Sequence, residues 1–175
     1  MSKPVKLTSP KKKLPPAYVY RSIWRNPLHF IAFGFGSGVL PVAPGTWGTL
    51  IAIPIYMLMM YFPQWLYLVV TGVIIILSVI ICDISEKDLK IHDHPGMTLD
   101  EIAGYLLTMA MAPPKATWII LGFVLFRIFD IWKPWPIGMI DRKVKGGLGT
   151  VLDDLIAAVY AALALELIIL ISTAN

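Results

Sequence analysis

The sequence predicts an all-α fold: a multi-pass membrane helical bundle with short or partly inserted helices around a cytoplasmic-face site. Three observations carry that prediction. First, 57% of the 175 residues are hydrophobic and only 15% are charged, and the mean hydropathy is +0.72, more apolar surface than the core of one soluble domain requires. Second, residues 65–82 contain no charged side chain and as a helix would rise roughly 27 Å, close to the thickness of a bilayer core. Third, the acidic pairs Asp100-Glu101 and Asp153-Asp154 each stand where a polar segment turns into an apolar one.

The length suits one domain. We divide it into a basic, proline-containing mobile arm, residues 1–26, and a single membrane-embedded domain, residues 27–175. Seven of the fifteen Lys and Arg lie in that arm. The net charge of +4 is thus concentrated beside apolar spans, which suits a cytoplasmic tail touching anionic headgroups and argues against nucleic acid as a partner. One cysteine, Cys82, excludes an intrachain disulfide and a Cys-rich zinc site. The lysines near the N-terminus are followed by prolines rather than a short apolar run, so no cleavable signal peptide is expected.

In order, residues 28–35 open an apolar stretch, and residues 36–49 hold too many glycines and prolines for a regular span, so a structured loop is expected. A helix over 49–62 and the helix over 65–82 form a hairpin across the bilayer, and residues 83–99 return as a polar loop. Residues 102–112 and 116–129 are short for full spans, rising roughly 17 and 21 Å; they either cross tilted or make a partly inserted hairpin. A second polar loop covers 133–150, and a final helix covers 151–172 with Glu166 as its deep charge. With the N-terminus inside, thirteen of the fifteen Lys and Arg fall on one side. The same side receives the glycine-rich loop, both acidic pairs, Asp130 and Lys133.

Thr98-Leu99-Asp100-Glu101 reads as a capping box and Thr150-Val151-Leu152-Asp153 as its relative, so one carboxylate of each pair is accounted for by helix capping. The second is not. Adjacent residues point about 100° apart on a helix, so one can cap while its neighbour faces a site. Crowded carboxylates resist ionisation unless a cation compensates them, and a hard divalent ion with oxygen ligands does so. Arg127 and Asp130 share one helix face, where they make either a plain ion pair or a phosphate contact beside a metal ligand or general base. His92-Asp93-His94 offers a weaker zinc reading. No Cys-x5-Arg, Asp-x-Asp or Arg-His-Gly pattern is present, which leaves metal-assisted hydrolysis as the phosphatase chemistry open to this chain.

A family resemblance rests on four ordered motifs: Phe35-Gly36-Ser37-Gly38 with Pro41, Pro44-Gly45-Thr46 and Gly48-Thr49; Asp100-Glu101 with Gly104; Arg127, Asp130, Lys133-Pro134 and Pro136; and Gly146-Gly147, Gly149 and Asp153-Asp154. Together they resemble phosphatidylglycerophosphatase A, over about residues 26–172. The resemblance implies a Mg²⁺-dependent enzyme of the bacterial inner membrane that converts phosphatidylglycerophosphate to phosphatidylglycerol. On that reading Asp100, Glu101, Asp130, Asp153 and Asp154 are the catalytic candidates, and Asp100, Glu101, Asp130 and Asp154 the metal ligands. Arg127 and Lys133 contact phosphate, with Ser37, Thr46 and Gly149 as lesser contacts. Two alternatives stay open: an ion or proton carrier relaying through Asp130, Arg127 and Glu166, and a lipid phosphotransferase. Oligomeric state is not legible.

Overall fold

The computed structural model describes residues 17–91, 94–144 and 146–174. Every regular element among them is helical: α1 (Ala17–Ile23), α2 (Pro27–Ala32), α3 (Pro44–Met59), α4 (Gln64–Leu89), α5 (Leu99–Thr108), α6 (Ala116–Trp132), α7 (Ile137–Lys143) and α8 (Gly147–Ala174), with one 3-10 turn at Ser37–Val39. Helices α4 and α8, of 26 and 28 residues, are long and apolar enough to cross a bilayer. Helix α5, with ten residues, rises only about 15 Å and cannot span. It is instead the buried centre of the bundle: Ala103, Tyr105 and Leu106 have no exposed surface, and α3, α4, α6 and α8 all pack on it.

Cross-bundle contacts fix the directions of the helices. The Tyr67 hydroxyl donates to the Leu106 carbonyl, while near the other end of the same pair the Ser78 hydroxyl reaches the Leu99 carbonyl, so α4 and α5 run antiparallel. Tyr105 donates to the Ile119 carbonyl and Glu101 meets Arg127, which makes α6 antiparallel to α5 as well. The Thr108 hydroxyl reaches the Ala158 carbonyl and Gly104 abuts the Asp154 backbone, so α8 runs parallel to α5. Consequently the N-termini of α3, α5 and α8 and the C-termini of α4 and α6 gather at one end. The two acidic pairs, Asp130 and Lys133 share that end, as the sequence suggested.

Several expected boundaries move. Residues 17–26, assigned to a mobile arm, contain α1, which buries Val19 and Ile23 completely and ties Tyr18 to the Leu89 carbonyl; two apolar side chains are enough to dock it. The earlier part of the arm, His92 and Asp93 lie outside the described residues. Helix α3 starts five residues before the expected position because Pro44 suits the first helical turn, where a missing N–H costs nothing. Helix α4 runs seven residues beyond its apolar stretch, since Ser85, Glu86 and Leu89 are buried on the inner face while Lys87 caps an exposed pair with Asp83. The second polar loop contains α7, and α8 begins at Gly147 rather than residue 151. Gly147 lies against the backbone of Val79 and Asp83, and Gly149 against the Val144 carbonyl, so both allow close helix approach. Neither capping box forms. Thr98 makes no side-chain cap bond and pairs with Ser37 at 3.3 Å, while Thr150 lies inside α8 and bonds Glu86 at 2.5 Å.

Candidate active site

Helix α5 starts the site. Because Thr98 does not cap it, the first turn is served by Asp100, whose Oδ1 accepts the Glu101 N–H at 3.0 Å. That fixes the pair with both carboxyls pointing inward. From α8 comes Asp154, buried like Asp100. Asp100, Glu101 and Asp154 each offer a carboxylate oxygen, and these three oxygens lie within 4.8 Å of one another. Three carboxylates that close are a mutually repulsive set unless protons or a cation intervene. Helix α6 adds Asp130, whose carboxyl faces that of Asp154 and which forms an ion pair with Arg127 at 2.5 Å. The Arg127 guanidinium also stands 3.9 Å from Glu101.

The second member of the α8 pair behaves differently. Asp153 accepts a 2.6 Å bond from the Lys133 ammonium, tying the end of α6 to the start of α8. Lys133 itself has φ +46°, a left-handed conformation that costs a non-glycine residue roughly 1–2 kcal/mol. At the opposite wall Ala43, with φ +49°, turns the chain into α3. Strain of this kind persists where surrounding structure enforces it, commonly beside functional groups. The turn at Ala43 sets Gly45 over the cluster, where a Cβ would come 2.1 Å from Glu101 Oε1 and 3.1 Å from the Arg127 guanidinium nitrogens. A side chain at this position would have to push the Glu101 carboxyl and the Arg127 guanidinium aside.

The electrostatics follow from burial. Desolvation, ahead of every other cause, raises the Glu101 carboxyl from its ordinary 4.5 to about 8, with Asp154 and Asp130 adding repulsion and Arg127 opposing it. Asp100 is pushed well above the usual carboxylate range by burial and then by Glu101. Among the buried atoms at the centre that find no hydrogen-bond partner within the protein are Glu101 Oε2, Asp154 Oδ2 and Arg127 Nε. Two carboxyl oxygens and one cationic donor left open together match a ligand carrying both a cation and oxyanions. The donor set, all carboxylate oxygen, fits a hard divalent ion.

The family model for phosphatidylglycerophosphatase A matches residues 30–169. Phosphatidylglycerophosphatase A of Escherichia coli K12 is 45% identical over 138 residues, 78% of this chain and 80% of that protein. The Haemophilus influenzae protein of the same name is 38% identical over 140 residues, 79% of this chain and 86% of its own length. The chain belongs to the phosphatidylglycerophosphatase A family. No solved structure matches it.

Within the described residues, the predicted site residues divide by what they touch. Asp100, Glu101, Asp154, Asp130 and Arg127 converge. Asp153 and Lys133 form the adjoining ion pair. Ser37 is buried against Thr98 and Gly149 against Val144, so both have packing roles that account for them without a ligand. Thr46 lies in the first turn of α3, half-buried, next to Gly45. Glu166 is twelve residues beyond Asp154 on α8, roughly 18 Å along the axis, and outside the cluster. Sequence reasoning gave Gly45 no role of its own and missed the bond from Lys133 to Asp153. It also missed Cys82, buried on α4 within the field of Asp100, Glu101, Glu86 and Asp154. Separation along the chain hid all three.

Proposed function

We propose that this chain hydrolyses the terminal phosphomonoester of phosphatidylglycerophosphate, releasing phosphatidylglycerol and inorganic phosphate, in a Mg²⁺-dependent reaction at the cytoplasmic face of the bacterial inner membrane. One observation carries the reading: Asp100, Glu101 and Asp154 meet beside Arg127 in a chain 45% identical to a phosphatidylglycerophosphatase A. Asp100, Glu101 and Asp154 are the residues that would hold the ion, with Asp130 adjoining. A bound Mg²⁺ would polarise the phosphoryl group and acidify a water molecule. Arg127 and Lys133 supply the positive charge that orients the phosphate and offsets charge building on its oxygens. In hydrolysis the water oxygen bonds phosphorus as the bond to the glycerol oxygen breaks, and a proton leaves the water. We assign that proton to Asp130, whose carboxylate Arg127 holds, and from there it passes to the departing glycerol oxygen, which leaves as the alcohol.

The orientation rests on charge. Thirteen of the fifteen Lys and Arg belong to the arm, the two polar segments and the loop ends on the side that carries the site, which favours the cytoplasm. On this reading α4 and α8 cross the bilayer, α3 crosses beside α4, and α5 with α6 forms the partly inserted hairpin. Purified protein supplied with phosphatidylglycerophosphate should release phosphate with Mg²⁺ and stop with chelator, and an added acceptor alcohol should not take up the phosphate. Turnover indifferent to chelator would remove the ion from the reading, and a phosphorylated alcohol would make the chain a phosphotransferase.

A further inference from the structure

The outer surface of α6 carries a groove of about 600 Å³ lined by Phe123, Val124, Arg127, Ile128, Ile131 and Trp132. Positions 124, 127, 128 and 131 recur at three- and four-residue intervals, so they form one stripe on the helix. Val124, Ile128, Ile131 and Trp132 are left 42%, 48%, 70% and 73% exposed. Arg127 is the single charged member, and its side chain is only 13% exposed because its guanidinium turns inward to Asp130 and Glu101. The groove and the carboxylate site therefore share a residue. Residues 123–132 cover roughly 14 Å of helix axis, enough for a long stretch of extended hydrocarbon. The exposed apolar face of α4 lacks this feature: Ile76 and Ile80, 61% and 48% exposed, lie in a stretch of that helix without any charge.

We propose that this α6 groove is an acyl-chain site, through which the lipid phosphate enters sideways from the bilayer with its headgroup led to Arg127. The inference rests on the function proposed above and adds the route and the subsite. The occupant is a lipid chain because the substrate's phosphate must reach Arg127 while its tail stays in an apolar medium, and the groove is apolar along its length and cationic at its inner edge. A second copy of the chain would cover the apolar stripe but brings no phosphate to the arginine.

The test compares long-chain phosphatidylglycerophosphate with its water-soluble dibutyryl analogue on the full-length protein in detergent. Wild type, Val124→Trp, Ile128→Trp and the α4 control Ile76→Trp are assayed side by side. Filling the groove displaces two or three methylenes of the chain, so the ratio of kcat/KM for long over short substrate should fall about tenfold or more in both groove variants. The control should keep the wild-type ratio. An unchanged ratio overturns the groove while leaving hydrolysis standing, and a wild type that turns over neither substrate overturns both. Should tryptophan prevent folding, Ile128→Ala decides instead, with a fall in the same ratio of about threefold; no fall overturns the proposal. A dimer lost in the groove variants with the ratio intact assigns the stripe to a second copy and overturns it too.

Discussion

Helix α5 joins two buried polar regions with opposite habits. Toward its C-terminus the tyrosines are satisfied: Tyr67 donates to the Leu106 carbonyl at 2.6 Å and Tyr105 to the Ile119 carbonyl at 3.0 Å. Tyr56 packs edge-on between them, with ring centroids 6.2 and 6.4 Å away. The shortfall nearby is one neutral hydroxyl, on Thr71. At the N-terminus of the same helix, two carboxylate oxygens and a guanidinium nitrogen are buried and open. A neutral group that has found its partner stabilises the fold by about 1 kcal/mol. A buried charge that has not is destabilising, and it survives selection when something outside the chain completes it. The contrast separates scaffold from site without reference to any relative.

The largest expected effect breaks the open end. Asp154→Asn keeps the shape of the side chain and removes its charge. Phosphate release should fall by about 10²–10³-fold or more, while the metal-free protein, measured by thermal unfolding in detergent, should unfold no earlier than wild type because one repulsive charge is gone. Near-normal turnover would show that the open carboxylates are not the reacting centre.

A smaller effect follows from pH. The folded state holds a proton on Glu101 up to about 8, against 4.5 for an ordinary carboxyl. A proton held in the folded state stabilises it, so the metal-free protein should lose stability as pH rises from about 4.5 through about 8. Metal binding works against that proton. Mg²⁺ should therefore raise the melting temperature little at pH 6 and progressively more toward pH 8.5, with proton release on binding measurable by calorimetry. A Mg²⁺ effect independent of pH would mean that the ion does not meet Glu101.

Much of this contrast was legible in the sequence, because charge in an apolar setting is conspicuous. The two acidic pairs, Arg127, Asp130 and the helix character of the chain all follow from composition and spacing. What was not legible depends on approach between distant segments. Thr98 looks like a cap because Glu101 follows at the right interval, yet Ser37, sixty-one positions away, takes its hydroxyl. The polar stretch after Cys82 looks like a loop, but α4 continues because Ser85 and Glu86 are buried against other helices. Gly45 looks like one of many loop glycines until Glu101 and Arg127 are found against it. Local pattern reports what a residue can do, and the partner that decides between options lies elsewhere in the chain.

The smallest effect tests the satisfied end. Tyr105→Phe deletes one hydroxyl from a fully buried ring and leaves the Ile119 carbonyl without its donor. Stability should drop by about 0.5–1.5 kcal/mol, a shift of roughly 2–4 °C in Tm for a chain of this size. Turnover should stay within about twofold of wild type, because the ring still fills its place against Tyr56 and the carboxylates begin a full turn away along α5. The pair of variants therefore crosses: Asp154→Asn loses activity and keeps stability, Tyr105→Phe loses stability and keeps activity. If Tyr105→Phe instead depressed turnover as strongly as it depressed Tm, the two ends of α5 would be mechanically coupled, and hydrogen-bond satisfaction would no longer divide scaffold from site in this bundle.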